Sequence, residues 1–328
     1  MKNRKVVLSK KRNVTLTLYL LDNFKEFQYN EKRPLIIVCP GGGYAFLSDR
    51  EAEVVAMQYY AAGIHAAVLR YGINEYAVMP GPIKDAADAV AYVRQLPDKF
   101  CIDRENIYIS GFSAGGHVAA GLGVFWNDAK MFPEYKKDLR LIRPDGLVLG
   151  YPVIDLKAST KKMDIGIKPE AKLDEIEFGQ IHPKMPREKI FPVDKKAGRR
   201  FVDFEIAMNA YIFGGEYTAA QEKKYSLQNS VSKDTPPAFI WHCAGDALIF
   251  PKNSLEFAEA LNRKGVDCEL HLFSGGEHGI ALADYRTAND YLQFYDHASG
   301  WMQMSVAWLL KKSGFKEKVM KSLPNGRQ

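Results

Sequence analysis

A serine flanked by glycines is the clearest candidate for a reactive group in this sequence. It is Ser113, in the pentapeptide Gly111-Phe112-Ser113-Ala114-Gly115. The Gly-x-Ser-x-Gly pattern alone is weak evidence, because chance supplies it in roughly one chain in ten of this length. Its setting says more: an apolar run, residues 106–110, leads directly into it, and a helix of small residues follows. Such a strand-to-helix turn exposes the hydroxyl above a sheet, beside the N–H groups of a helix N-terminus.

A serine hydroxyl becomes a nucleophile only beside a general base that a third group orients. The chain has seven histidines. His278 follows the last predicted strand in a Gly-rich loop, Ser274-Gly275-Gly276-Glu277-His278-Gly279, and we predict that it is the base. His242 lies inside an apolar run, which favours a hydrogen-bonded core residue instead.

Asp246 is the predicted orienting carboxylate. It comes just after the apolar run 238–243, and active sites of open α/β sheets gather at the carboxyl ends of strands. The chain order is then Ser113, Asp246, His278, which is the order of the α/β-hydrolase triad. Asp155, after the run 146–150, is the alternative carboxylate.

A second Gly-rich loop, Pro40-Gly41-Gly42-Gly43-Tyr44, follows the apolar run 34–39. Glycines there let backbone N–H groups approach a substrate oxygen, so Gly42, Gly43 and Ala114 are the predicted oxyanion donors. Neither Gly-rich loop fits a nucleotide site. His117 and Val118 stand where a phosphate loop needs Lys and Ser or Thr, and Phe46 replaces the last glycine of a dinucleotide fingerprint. No metal motif is present, and we expect no cofactor.

The elements around these residues alternate between buried strands and helices. The unbroken apolar run 34–39 predicts a parallel strand covered on both faces. Further strands are predicted at 64–69, 106–110, 146–150, 238–243 and 268–273. Helices are predicted between them, and Val14–Leu20 alternates like a half-buried strand. Repeated alternation of this kind indicates an α/β fold with a mostly parallel sheet. We interpret 1–328 as one domain, with the polar, Lys-rich stretch 157–225 as a cap inserted over the sheet. This stretch has no clear strand, and a helix is expected within it at 202–213.

Composition sets wider limits on function. The 328 residues carry a formal net charge of +6, spread along the chain rather than focused in a stripe or motif for nucleic acid. No run approaches the roughly 20 apolar residues that span a bilayer. The four cysteines, Cys39, Cys101, Cys243 and Cys268, have neither metal nor redox spacing. We therefore expect free thiols in a cytoplasmic protein that binds neither nucleic acid nor membrane.

Taken together, these motifs resemble a known family. The chain is similar to hormone-sensitive-lipase-like and acetyl-xylan-esterase-like carboxylesterases over most of 34–283, apart from 157–200. The resemblance rests on six segments: 39–44, 50–53, 111–117, 151–154, 241–246 and 276–279. It implies an α/β-hydrolase fold and ester hydrolysis through an acyl-enzyme on Ser113. Pro40 replaces the histidine of lipase-type members, and Tyr44 follows the glycines. That variant resembles short-chain acetyl esterases, including those that act on acetylated sugars or xylan.

The expected substrate is therefore a small ester, for which the resemblance implies an acetylated xylo-oligosaccharide, with Tyr44 in contact with it. Two other functions are compatible with the same residues. A prolyl-oligopeptidase-type peptidase shares the fold and triad order, although only about 30 residues precede the first core strand. A non-catalytic binding protein would have no reason to keep Ser, Asp and His together. The sequence leaves open whether the chain forms a homo-oligomer.

Overall fold

The computed structural model describes residues 2–23, 26, 31–157, 160, 162–176, 181–290 and 293–323. Its strands are β1 (Lys2–Ser9), β2 (Val14–Leu20), β3 (Arg33–Cys39), β4 (His65–Arg70), β5 (Ile102–Phe112), β6 (Gly146–Gly150), β7 (Lys162–Ile167), β8 (Val193–Asp194), β9 (Arg199–Asp203), β10 (Ala238–Cys243) and β11 (Cys268–Phe273). Its α-helices are α1 (Glu53–Ala61), α2 (Gly81–Arg94), α3 (Ser113–Phe125), α4 (Arg187–Ile190), α5 (Phe204–Phe213), α6 (Ala219–Tyr225), α7 (Lys252–Arg263), α8 (Asp296–Ser299), α9 (Trp301–Ser313) and α10 (Phe315–Ser322).

Eight strands form the main sheet, in the order β1-β2-β4-β3-β5-β6-β10-β11. Strand β2 pairs antiparallel with both β1 and β4. The six strands β4, β3, β5, β6, β10 and β11 run parallel to one another. Every residue of β3 and β10 is buried, as expected of parallel strands covered on both faces. The predicted mostly parallel sheet is confirmed.

Helices cover both faces of this sheet and create two apolar cores. Residues of α2, α3 and α7 pack on one face, in a core that includes Ile83, Val118 and Phe257. Residues of α1 and α9 pack on the other, around Tyr59, Trp241 and Trp301. Apolar burial on both faces fixes the strands as a rigid frame for the loops that follow them.

The parallel strands end together along one edge of the sheet. Cys39 at the end of β3 pairs with Gly111, and Phe112 at the end of β5 pairs with Gly150. Cys243 at the end of β10 pairs with Phe273 at the end of β11. This register brings together the loops that begin after residues 39, 112, 150, 243 and 273, where the candidate site residues lie.

The segment 157–225 leaves the main sheet and forms a small subdomain of its own. Strands β7, β9 and β8 make an antiparallel sheet, in that order. A separate apolar cluster packs beneath it: Ile176, Met185, Ile190, Phe191, Val202, Ala207 and Ala210. The expectation that this segment has no clear strand is wrong. Residues 158–159, 161 and 177–180 of the segment lie outside the described residues. The helix expected at 202–213 is present as α5.

Three further features of the structure concern thiols, membrane-spanning helices and metal sites. All four cysteines are unpaired thiols. No helix in the described ranges has the length and apolarity needed to cross a membrane. Within the same ranges, no three His, Cys, Asp or Glu side chains are grouped closely enough to hold a metal ion.

Candidate active site

Ser113 occupies a sharp turn between β5 and α3. Its φ angle is +52°, in the left-handed region that non-glycine residues rarely adopt. The backbone around it is too crowded for larger residues. A Cβ atom on Gly111 would lie 2.1 Å from the carbonyl oxygen of Gly115, and one on Gly115 would lie 2.2 Å from that of Cys39. The two glycines therefore allow the strained turn that presents the Ser113 hydroxyl.

Ser113, His278 and Asp246 form a continuous hydrogen-bonded chain. His278 Nε2 lies 2.9 Å from Ser113 Oγ, and His278 Nδ1 lies 2.7 Å from Asp246 Oδ2. Because the carboxylate can only accept, Nδ1 carries the hydrogen and Nε2 of the neutral ring is free to accept the serine proton. This is the geometry that a serine nucleophile and its general base require.

Backbone and side-chain donors fix the Asp246 carboxylate. Its Oδ1 accepts hydrogen bonds from the N–H groups of Leu248 (3.0 Å) and Ile249 (2.9 Å). Burial alone would raise the pKa of Asp246. The charge of His278 and the hydrogen bonds from His242 and His278 outweigh that effect and hold the pKa well below its usual range.

His242 is a second histidine on the same carboxylate. Its Nε2 lies 3.1 Å from Asp246 Oδ2 and 2.9 Å from the Ile249 carbonyl oxygen, while Nδ1 lies 2.8 Å from Ser254 Oγ. Nε2 faces two acceptors, so it carries the hydrogen, and Nδ1 accepts from the serine hydroxyl. The prediction of a hydrogen-bonded core residue is confirmed. Its contact with Asp246 was missed, because the contact depends on the turn after β10 and not on any sequence pattern.

The electrostatics of His278 follow from its neighbours. Burial lowers the pKa of the imidazole, but the charge and hydrogen bond of Asp246 raise it, and Glu51 raises it further. Arg50 acts in the opposite direction, and the pKa lies above its ordinary value. Its charged form is therefore stabilised, as a base that must carry a proton during the reaction needs.

The loop after β3 turns tightly beside Ser113. The carbonyl oxygen of Gly42 accepts from the N–H groups of Ala45 (3.1 Å) and Phe46 (3.2 Å). Gly42 has φ +126°, and a Cβ there would lie 2.2 Å from the Phe46 oxygen. In the part of the chain that the structure describes, the N–H groups of Gly42 and Gly43 donate to no protein acceptor. Ala114 lies buried in the first turn of α3, where N–H groups have no partner within the helix.

A cavity of about 260 Å³ opens onto Ser113 and His278. Gly42, Gly43, Ser48, Arg50 and Glu51 line one part of it. Leu248 and Ile249 from the loop after β10, together with Phe204, Met208 and Thr160 from the 157–225 segment, line another. The Ser113 hydroxyl therefore faces both polar and apolar walls.

The chain is similar to known hydrolases in both sequence and fold. The BD-FAE family matches residues 21–183, and the prolyl oligopeptidase family matches residues 201–305. The solved structure of a carboxylesterase from Lactobacillus plantarum is 27% identical, with a TM-score of 0.72, over 95% of this chain and 97% of that one. An acetyl ester-xyloside bifunctional hydrolase from Caldicellulosiruptor lactoaceticus is 30% identical, with a TM-score of 0.64, over 92% of this chain and 89% of that one.

The chain belongs to the carboxylesterases of the α/β-hydrolase fold. An acetylxylan esterase from Xylanibacter ruminicola is 25% identical over 265 residues, which are 78% of this carboxylesterase and 43% of that relative. The chain spans 35% and 43% of the length of two curated relatives that it matches.

Two predicted residues have other places in the carboxylesterase. The Tyr44 side chain is fully buried, and its hydroxyl lies 2.7 Å from His117 Nδ1. Because Tyr44 has φ +67°, the turn sends its ring into the core, so it packs there instead of meeting substrate. Asp155 bonds Lys252 Nζ at 3.1 Å. Asp246 is therefore the carboxylate in contact with His278, and the alternative does not reach the base.

Glu51 is the site residue that sequence reasoning passed over. It lies in the cavity wall, is only 3% exposed, and bonds the N–H of Gly41 at 2.8 Å and the hydroxyl of Tyr151 at 2.6 Å. An acidic residue just ahead of α1 reads as an ordinary surface charge. The segment 50–53 contributes to the family resemblance but carries no sign of a role for Glu51. Its place in the site follows from its burial, which the tertiary fold sets.

Proposed function

We propose that the protein is a serine carboxylesterase that cleaves short-chain, acetyl-type esters through an acyl-enzyme. The observation that carries this proposal is the 2.9 Å contact between Ser113 Oγ and His278 Nε2, with His278 held in turn by Asp246. A hydroxyl paired with an oriented neutral imidazole is the arrangement for nucleophilic attack on a carbonyl.

In the proposed reaction, Ser113 Oγ bonds to the acyl carbon while its proton passes to His278 Nε2. The N–H groups of Gly42, Gly43 and Ala114 hold the negative oxygen of the tetrahedral intermediate. Collapse of the intermediate breaks the bond to the alcohol, which leaves with the proton from His278. Water then gives its proton to His278 as its oxygen attacks the acyl carbon. Collapse of this second tetrahedral intermediate breaks the bond to Ser113 Oγ, which takes the proton back from His278 as the carboxylic acid leaves.

Cavity size and chemistry support a short acyl group on a polar alcohol. About 260 Å³ next to Ser113 is small for a substrate site. Ser48 and Arg50 offer polar groups beside Ser113, as sugar hydroxyls would require. Two relatives are named acetylxylan esterase and acetyl ester-xyloside bifunctional hydrolase. An acetylated xylo-oligosaccharide is accordingly the proposed natural type of substrate.

The test uses p-nitrophenyl esters of two to twelve carbons with the wild-type protein and Ser113→Ala. We expect acetyl and butyryl esters to be preferred, and a loss of at least roughly 10³-fold in kcat for the variant. Unchanged turnover in Ser113→Ala would refute the mechanism. Preference for the twelve-carbon ester would refute only the short-chain specificity. Release of acetate from acetylated xylo-oligosaccharides tests whether an acetylated sugar is a substrate.

A peptidase of the prolyl-oligopeptidase type is the second candidate, because that family matches residues 201–305. Peptide p-nitroanilides distinguish the two candidates, since the proposed esterase should leave them intact at enzyme concentrations that cleave p-nitrophenyl acetate within minutes. Inactivity toward esters and anilides alike would favour a non-catalytic binding protein.

A further inference from the structure

Glu51 joins two of the loops that build the site. Its Oε2 accepts the N–H of Gly41 at 2.8 Å, directly before the predicted oxyanion donors. Its Oε1 accepts the hydroxyl of Tyr151, the first residue after β6, at 2.6 Å. Charge-assisted bonds of this length are among the stronger hydrogen bonds in proteins, so the carboxylate fixes the position of both loops.

Tyr151 extends the link to the loop that carries the base. Its hydroxyl oxygen accepts the N–H of Ala281 at 2.9 Å while donating to Glu51. Burial and the nearby Glu51 raise the pKa of Tyr151 well above its ordinary value, so the phenol stays protonated and remains a donor. Its ring also packs edge-on against the His278 imidazole, with centroids 5.0 Å apart.

The backbone on both sides of this link is strained. Tyr151 and Ala281 have φ angles of +35° and +49°, which side-chain-bearing residues rarely adopt. Such conformations persist only where the surroundings hold them, and they cluster at functional sites. A single buried carboxylate thus stands at the centre of hydrogen bonds that shape the oxyanion loop and the His278 loop together.

We propose that Glu51 is a positioning residue for the esterase reaction, one that aligns the oxyanion loop with His278 and stabilises the protonated imidazole by its charge. The inference rests on the proposed function. It gives the proposed base, His278, a second carboxylate that stabilises its charged form, besides Asp246. Asp246 orients His278 through Nδ1, whereas Glu51 acts across the Tyr151 ring without touching the imidazole.

Several groups around His278 bear on its protonation. Asp246 and Glu51 favour the charged ring, and Arg50 disfavours it. Three others face the same region: Tyr151 by ring contact, His242 through Asp246, and Glu277, whose carboxylate accepts from Gln293. Removing the Glu51 charge should therefore lower the pKa of His278 while Asp246 remains in place.

The decisive variant is Glu51→Gln, which keeps the shape and can still accept from Gly41 but has no charge. We expect kcat for p-nitrophenyl acetate to fall about 10- to 100-fold, because a hydrogen bond to a charged group becomes a neutral one. KM should stay within about threefold. The acid limb of the kcat/KM profile should move to lower pH.

Two further variants, Glu51→Asp and Glu53→Gln, separate the charge of Glu51 from its position and provide a control. The aspartate keeps the charge but is too short to reach both partners, so kcat should fall while the acid limb stays near its wild-type position. Glu53 is on α1, where it pairs with Arg70 at 3.0 Å. Glu53→Gln should behave as wild type in both measurements.

An unchanged kcat in Glu51→Gln would overturn the proposal. A lower kcat with an acid limb at the wild-type pH would also overturn it, because Glu51 would then have only a structural role. If Glu51→Gln does not fold by circular dichroism, Tyr151→Phe replaces it, and an unchanged kcat there would also overturn the proposal. If the wild-type protein hydrolyses no ester, the proposed function fails separately. NMR titration of His278 in wild type and Glu51→Gln then tests the charge effect alone, and equal pKa values would exclude it.

Discussion

At the scale of single residues, the Asp246 carboxylate has a full set of donors. Two backbone N–H groups hold Oδ1, and His242 and His278 both bond Oδ2. The side chain has no exposed surface, so each donor acts in a medium of low dielectric constant, where it counts for more than in water. The carboxylate therefore stays ionised and keeps the His278 hydrogen on Nδ1, which leaves Nε2 toward Ser113.

Replacing Asp246 by Asn should disable the base without removing the side chain. An amide can donate to Nδ1, which would put the imidazole hydrogen on Nε2, facing Ser113. We expect kcat for p-nitrophenyl acetate to fall about 10³- to 10⁴-fold. The matched control is Asp155→Asn, because Asp155 also follows a strand of the sheet but pairs with Lys252. Equal losses in the two variants would contradict the assignment of Asp246.

At the scale of elements, the β5–α3 turn is the most tightly constrained part of the site. A Cβ atom on Gly115 would meet the carbonyl oxygens of Cys39 and Pro40 at 2.2 and 2.4 Å. Both belong to the backbone at the end of β3, which the neighbouring strands fix in place. The β5–α3 turn and the loop after β3 are therefore in direct backbone contact, and a change in one must displace the other.

Gly115→Ala should destabilise the protein by about 3 kcal/mol or more, because overpacking against backbone cannot be relieved by a rotamer change. Urea unfolding measures this free energy. Gly300→Ala is the control, since a Cβ there would have only ordinary contacts at 3.5 Å and its φ is −59°. A Gly115→Ala protein as stable as wild type would refute the predicted clash.

The 157–225 segment contributes its helix α5 to the cavity. Phe204 begins this helix, and Met208, one turn later, is 5% exposed and lies against the same space. Residues one turn apart share a helix face. The inserted subdomain therefore supplies an apolar wall near Ser113, and that wall should limit the length of the acyl group.

Met208→Ala should enlarge the cavity and shift the preference toward longer acyl chains. We expect the ratio of kcat/KM for hexanoyl over acetyl esters to rise about tenfold, which is the usual discrimination from one or two methylene groups. Met320→Ala is the control, because Met320 is 58% exposed on α10. An unchanged ratio in Met208→Ala would place the acyl group elsewhere.

Sequence reasoning succeeded for elements whose signal is local. Strands β3 and β10, and the last residues of β5 before Phe112, are mainly apolar, so their burial is visible in the residues themselves. The strands of the inserted subdomain have no such signal. Strand β8 consists of two exposed residues, and β9 begins with Arg199 and Arg200. They are strands because they pair with each other over a separate small core.

The same limit applied to individual side chains. Ser113, Asp246 and His278 stand after strand ends, so the parallel sheet alone predicts that they meet. Tyr44 stands in an equally suggestive loop, but a positive φ turns its ring inward to His117. Glu51 has partners 10 and 100 residues away in the chain. No spacing rule could have revealed contacts set by how three loops approach one another.

At the scale of the whole molecule, two buried histidines outside the hydrogen-bonded chain of Ser113, His278 and Asp246 should link stability to pH. His65 Nδ1 accepts the N–H of Leu21 at 3.1 Å, and His117 Nδ1 accepts the Tyr44 hydroxyl at 2.7 Å. Each Nε2 donates to a backbone carbonyl. Both rings therefore need to be neutral, and burial lowers the pKa of each to about 4. Protonation would turn an accepted hydrogen bond into a repulsion between donors.

Because the folded-state pKa of each ring is below its unfolded value near 6.5, their contribution is present above pH 6.5 and is lost as the pH falls toward 4. Each shift corresponds to about 3 kcal/mol of unfolding free energy. Asp145, whose pKa burial raises to about 6, changes in the opposite direction over the same range. The comparison must therefore be made between variants.

Urea unfolding of His117→Asn should show lower stability at pH 7.5 but a smaller loss by pH 4.5 than wild type. His297→Asn, an exposed position, should follow wild type, whereas parallel curves for wild type and His117→Asn would show that His117 is not titrating with unfolding.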